Sequence, residues 1–307
     1  MMAWADVEAA FSGILERRWY TNHGPLAQAL EHKAAAAFAV RHAIAVTNPA
    51  IGLIMLAEAL HLSGEVILPA LAPGRCAQSL SWAGLRPVFC DVDPGTLGIT
   101  AEQAACCIGP DTSAILGIAG ADEEGLARLA AAHGLAFFQD GRGHHPAPAL
   151  LLLPCHGDDA GAACITTQDD TLAARVRNIR SSYGAGSAAP VARTANGRLS
   201  EAQAAMALLG LKQAPGQACP VGTYRAGLPG RHVVRLGGRA ALLTSSTGER
   251  SRACAALVSA GFPSDPFVLD PRASGCPVSV EGVSRAVLLP QVLEQTAAVC
   301  AVLRGVC

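Results

Sequence analysis

Between residues 65 and 139, short apolar runs alternate with amphipathic stretches, and that rhythm admits few folds. The runs at 65–68, 87–92, 114–118 and 136–139 read as strands. Those at 74–82, 101–108 and 123–133 read as helices, the first stopped by Gly84 and the last by Gly134. The strands are continuously apolar instead of alternating, as strands covered by helices on both faces are. A mostly parallel sheet in an α/β domain is the expectation, with no internal repeat.

Flanking segments extend the pattern. Residues 2–18 place Trp4, Val7, Phe11, Ile14 and Leu15 on one side of a helix. Pro25 suits the first turn of a second helix, in which Leu26, Leu30, Ala34 and Phe38 recur every four residues. Residues 42–46 form a short strand ended by Thr47-Asn48-Pro49, and 51–61 an apolar-faced helix. A further apolar strand is expected at 150–153. Helices follow at 169–183, with Asp169 or Asp170 at its start and arginines towards its end, and at 199–211, with Ser200 as cap. Strands at 232–236 and 285–289 and helices at 248–260 and 293–304 describe a smaller unit. The expected organisation is a large α/β domain over 1–212, a Gly/Pro-rich linker over 213–230 and a small C-terminal α+β domain over 231–307.

With 15% charged residues and a net charge of −1, the chain has no electrostatic footprint for nucleic acid or a membrane surface. No apolar run approaches the length of a membrane span. Asp6, Glu8 and Glu16 stand where a leader would be basic and then apolar, so a cytoplasmic location is expected. Eleven cysteines without CxxC spacing are expected to be free thiols in a reducing compartment. Lysine occurs only at Lys33 and Lys212, which leaves almost no amine for Schiff-base chemistry.

In an open parallel sheet, groups just past strand C-termini project into the ligand crevice. Asp140 holds that place after 136–139, and Pro154-Cys155-His156 after 150–153. Alone, Asp140 reads as a strand-end aspartate in a turn. Cys155 beside His156 suggests an activated thiol, since a neighbouring imidazolium lowers thiol pKa, although adjacent residues on an extended segment point apart. Cys155, His156, Asp158, Asp159, His144 and His145 match no zinc spacing, so no metal is expected.

Five segments carry more than fold class. VTNPAIGL at 46–53, WAGLRPVFCDVDPGTLGI at 82–99, HGLAFFQD at 133–140, TANGRLSEAQAAM at 194–206 and CPVSVEGVSRAVLLP at 276–290 stand out. Together the chain resembles the DegT/DnrJ/EryC1/StrS family. These are fold type I pyridoxal 5′-phosphate (PLP) enzymes, familiarly aminotransferases and dehydratases of nucleotide-linked keto-sugars. The resemblance implies the fold type I architecture, a homodimer with its site at the subunit interface, PLP or its amine form (PMP) as cofactor, and a nucleotide sugar as ligand.

The match is uneven. The family's aspartate that pairs with the pyridine nitrogen, keeping the ring an electron sink, matches Asp140. Its phosphate loop TNPTxxL matches 47–53, so Asn48, Ala50 and Ile51 at a helix start would hold the phosphate, with Ala50 in place of the threonine hydroxyl. On the residues alone, this is equally a plain strand-to-helix turn. The ring-covering PSFTF matches Pro69-Ala70-Leu71-Ala72-Pro73, which loses aromatic stacking worth about 1 kcal/mol. Asp-Ala-Ala-His becomes Asp140-Gly141-Arg142-Gly143. Asn196 and Arg198 match residues that reach a neighbouring subunit's phosphate; otherwise they read as a helix-entry asparagine and a solvated arginine. The Schiff-base lysine falls on Cys155, and neither that thiol nor His156 forms an internal aldimine.

Two readings follow. In the first, this is a degenerate family member, unable to transaminate by itself, acting as a binding or partner subunit in a homodimer or in a heterodimer with an intact homologue. In the second, it is an enzyme using PLP or PMP on nucleotide-linked keto-sugars, either a dehydratase with His156 as base or an aminotransferase.

Overall fold

The computed structural model describes residues 3–118, 122–141, 146–153, 162–181, 195–213, 220–236, 239–262, 267, 270–273, 275–291 and 295–306. The helices are α1 (Trp4–Arg17), α2 (Pro25–Phe38), α3 (Pro49–Ala59), α4 (Gly74–Trp82), α5 (Ala101–Ala105), α6 (Glu123–Ala132), α7 (Asp170–Arg180), α8 (Glu201–Gln213), α9 (Val221–Gly227), α10 (Thr247–Ser259), α11 (Pro277–Arg285) and α12 (Thr296–Arg304). The strands are β1 (His42–Val46), β2 (Glu65–Pro69), β3 (Arg86–Cys90), β4 (Thr112–Ile118), β5 (Ala136–Asp140), β6 (Ala149–Leu152), β7 (Ala163–Thr167), β8 (His232–Leu236), β9 (Arg239–Leu243) and β10 (Ala286–Leu288).

The first seven strands form one sheet in the order β1-β7-β6-β5-β4-β2-β3. Strands β2 to β6 pair in parallel, and β7 runs antiparallel between β6 and β1. This is the mostly parallel sheet expected from the apolar rhythm. Alternate side chains feed opposite cores, as strand geometry requires. Ile44, Val46, Val66, Leu68, Leu116, Phe138 and Ile165 pack under α3, α4 and α7. On the other face, Ala43, Ala45 and Cys164 meet α2 and α8, while Ile67 and Ile115 meet α5 and α6.

Helix starts follow local chemistry. Asp169 accepts from the Thr171 and Leu172 amides at the head of α7. Ser200 and Gln203 form a reciprocal cap before α8. Pro25 opens α2, whose first amides, Leu26 and Ala27, are bound by the fully buried Glu201.

Strands β8, β9 and β10 form a separate antiparallel sheet in the order β10-β9-β8. One face packs under α9, α10 and α12 through Val233, Leu242, Leu257 and Val299. The other face sets Val234, Leu236, Leu243 and Leu288 against Leu71, Val92 and Leu97 of the large sheet's loops. Four details differ from the sequence expectation. Strands β7 and β9 and helix α11 were not expected, and α9 lies inside the Gly/Pro-rich stretch 213–230. Tyr224 of α9 is fully buried and donates its hydroxyl to the Pro290 carbonyl at 2.8 Å, so packing outweighs the breaker-rich composition. Along α1, only Ile14 is buried; Trp4, Phe11 and Leu15 are exposed.

Candidate functional site

The residues singled out in the sequence lie along one edge of the large sheet, past the C-terminal ends of its parallel strands. Asp140 ends β5, residues 70–73 follow β2, and Asn48 follows β1. Strands β6 and β7 separate β5 from β1, so that edge spans about 14 Å at the usual inter-strand spacing. Cys155 and His156, and likewise His144 and His145, lie outside the described residues.

The turn after β1 is built tightly. Asn48 caps α3, its side-chain oxygen accepting from the Ile51 amide at 2.9 Å. Ala50 and Ile51 are half-buried on the first turn of that helix. A Cβ on Gly52 would lie 2.4 Å from Leu150 Cδ1, so glycine alone lets α3 sit this close to β6. Residues 195–200 dock onto the same turn. The Thr47 amide donates to the Gly197 carbonyl at 3.0 Å, and Gln203 Nε2 donates to the Thr47 carbonyl at 3.1 Å. Asn196 and Arg198 stand outside this seam, with Arg198 Nε donating to Asn196 Oδ1 at 3.0 Å. The fold thus brings Asn48, Ala50, Ile51, Asn196 and Arg198 to one place, three strands from Asp140.

Asp140 is only 3% exposed, and its Oδ2 is already engaged. It accepts from the guanidinium of Arg75, at the head of α4, and from the Cys76 thiol at 3.3 Å. Burial first, and then the Asp140 charge, pushes the Cys76 thiol well above its ordinary range, so it stays a neutral donor. Arg75 was not singled out in the sequence. An arginine 65 positions from the carboxylate carries no local signal, and the adjacency of β2, β4 and β5 creates the contact.

Residues 70–72, matching the segment that covers the coenzyme ring in the family, are core. Ala70, Leu71 and Ala72 are 1%, 2% and 8% exposed, and Leu71 packs against the three-stranded sheet. They offer a coenzyme ring neither an aromatic face nor a hydroxyl. Asp140 Oδ1 has no hydrogen-bond partner among the described residues, so one lone-pair direction is open. The guanidinium nevertheless already compensates the carboxylate. A second cation brought to the same group faces the first at roughly 4 Å, where like charges repel by about 4 kcal/mol near a protein surface. An apolar groove of ≈ 470 Å³ between α6 and residues 147–148, lined in part by Phe137 and Leu135, opens on the opposite face of the sheet. Among the described residues, no group of three or more metal-ligating side chains occurs, and no helix is long and apolar enough to cross a membrane.

Comparison with known proteins gives the architecture a name. Residues 4–147 match the model of the DegT/DnrJ/EryC1/StrS aminotransferase family. A dTDP-4-amino-4,6-dideoxy-D-glucose transaminase from Escherichia coli is 36% identical over 103 residues, which are 34% of this chain and 28% of the relative's length. The solved structure of DesI in the presence of its TDP-sugar product overlays with a TM-score of 0.83 at 26% identity, covering 99% of this chain and 90% of that one. A GDP-4-keto-6-deoxymannose-3-dehydratase with bound GDP-perosamine shares the fold at a TM-score of 0.78 and 16% identity, over 99% and 98% of the two chains. Its seven-stranded sheet, the match over residues 4–147 and the near-complete overlay make the chain similar to the DegT/DnrJ/EryC1/StrS aminotransferase family.

Proposed function

We propose that this protein is a degenerate member of its family that does not transaminate by itself and works in the cytoplasm as a binding or partner subunit. One observation carries the reading: the carboxylate matching the family's ring-nitrogen partner is held by Arg75 of the same chain. Supporting it, Ala50 offers no hydroxyl to a phosphate, and the ring-cover segment is buried in the core. Lys33 and Lys212, the chain's two side-chain amines, are exposed on α2 and α8. The relatives' substrates make a nucleotide-linked sugar the ligand class to test.

The partner half of the reading rests on α1. Trp4, Phe11 and Leu15 recur at helical spacing and are 75%, 39% and 64% exposed, with Trp19 and Tyr20 exposed just beyond them. An apolar strip of this kind marks a contact surface. A second copy or an intact homologue is the partner that the family architecture suggests.

The test is chemical. The pure protein is incubated with PLP, reduced with borohydride and weighed intact; an unmodified mass is expected. A trapped adduct on this chain would end the reading. Turnover of a nucleotide-linked 4-keto-6-deoxy sugar with added PMP, lost in His156→Ala, would replace it with the dehydratase.

A further inference from the structure

We infer that Arg75 is the specificity-determining side chain that shuts the coenzyme position, and that removing it reopens Asp140 to the ring nitrogen of PMP. This rests on the non-transaminating reading above and assigns the exclusion to one residue. Arg75 is the second residue of α4. A cation is disfavoured at that end of a helix, where unpaired amides and the macrodipole attract anions. What holds it there is the buried carboxylate of Asp140, from the tip of β5.

The surroundings make the contact a fixed one. Ala70, Leu71 and Ala72, just ahead of α4, are locked into three separate cores, and Cys76, next to Arg75, is fully buried and donates to the same carboxylate oxygen. The arginine side chain, 27% exposed, is the most solvent-accessible member of the group, whereas Asp140 is 3% exposed. Truncating it removes the competing cation and vacates the volume beside Oδ2. The carboxylate keeps only the weak thiol donor of Cys76, and Oδ1 has no partner among the described residues. An under-satisfied buried carboxylate is a strong acceptor for a protonated ring nitrogen.

Full-length wild type, Arg75→Ala and the double variant Arg75→Ala with Asp140→Asn are titrated with PMP. Binding is read by the induced circular dichroism of the pyridine ring and by the rise in Tm. We expect Arg75→Ala to bind PMP at least tenfold more tightly than wild type, and the double variant to lose that gain because no anion remains to hold the ring. If Arg75→Ala folds as wild type and binds no more tightly, the inference is overturned while the non-transaminating reading stands. A borohydride-trapped adduct on wild type overturns that reading instead. Should Arg75→Ala fail to fold, Arg75→Val keeps part of the arm's packing without the charge or a donor to the carboxylate, and carries the same expectation and the same overturning result.

Discussion

Glu31 and Arg180 meet across the free edge of β1. Glu31, from α2, accepts from the Ala45 amide at 3.0 Å, and Arg180, from α7, donates to the Ala45 carbonyl at 3.0 Å and to Glu31 itself. His23 completes the group at 2.9 Å from the other carboxylate oxygen. One ion pair thus ties together helices from opposite faces and closes the backbone groups that an edge strand would otherwise present to another chain. Both partners are buried, so removing one leaves the other as an uncompensated charge. Glu31→Ala or Arg180→Ala should cost about 3–5 kcal/mol in urea unfolding. Replacing both by Leu and Met should cost less than either single change, because a buried pair can be exchanged for packing while half a pair cannot.

The same carboxylate sets an acid limit. Burial pushes Glu31 up, but hydrogen bonds and charges from His23 and Arg180 outweigh it and hold the carboxyl below its ordinary value of 4.5. With the folded value below the unfolded one, the stabilisation is complete above the unfolded pKa and is lost as pH falls through the folded one. Wild type should therefore lose more urea stability than Glu31→Gln between about pH 6 and about pH 3. Equal losses would remove Glu31 from the account.

Asp91, just past β3, caps a helix from the other end of the chain. It accepts from the Val278 and Ser279 amides at 3.0 and 2.9 Å and from the Ser279 hydroxyl at 2.6 Å, all at the head of α11. Asp91→Ala should cost about 1–3 kcal/mol. Amide exchange should quicken across α11 and remain unchanged in β4 and β5.

Two glycines should respond in opposite directions. Gly52→Ala places a Cβ against Leu150 and Val46 and should destabilise by about 1–3 kcal/mol. Gly222, inside α9, has nothing within 4 Å of a built Cβ, and Gly222→Ala should stabilise by about 0.5–1 kcal/mol through helix propensity. Thermal unfolding of the two variants separates close packing from simple backbone entropy.

Thiol reactivity should follow burial. Among the described cysteines, Cys106 is exposed, whereas Cys76 and Cys164 are buried with thiols pushed well above their ordinary range. Since the thiolate is the reactive form, iodoacetamide at about pH 8 should mark Cys106 ahead of the other described cysteines and reach Cys76 and Cys164 only on unfolding. Peptide mapping after timed quenching reads the order.

Much of this was legible in the residues themselves. Continuous apolar strands such as 65–68 and 114–118 announce burial on both faces, and Pro25, Asp169 and Ser200 mark helix starts, because these signals are local. Helix α11 was not legible: β-branched Val278, Val280 and Val283 and Gly282 are weak helix formers, and its cap, Asp91, stands 187 positions away from Val278. Strand β9 and helix α9 were missed for a like reason, since their partners, β8, β10 and the Pro290 carbonyl, are supplied by packing.

By itself, then, the sequence determined the α/β alternation, the family resemblance and the place of Asp140 at a strand tip. Only the tertiary structure decided what that carboxylate holds. Periodicity and caps act within a few residues, whereas the meeting of Arg75 with Asp140 depends on β2, β4 and β5 lying side by side, and strand order is set by how the whole sheet closes its two cores.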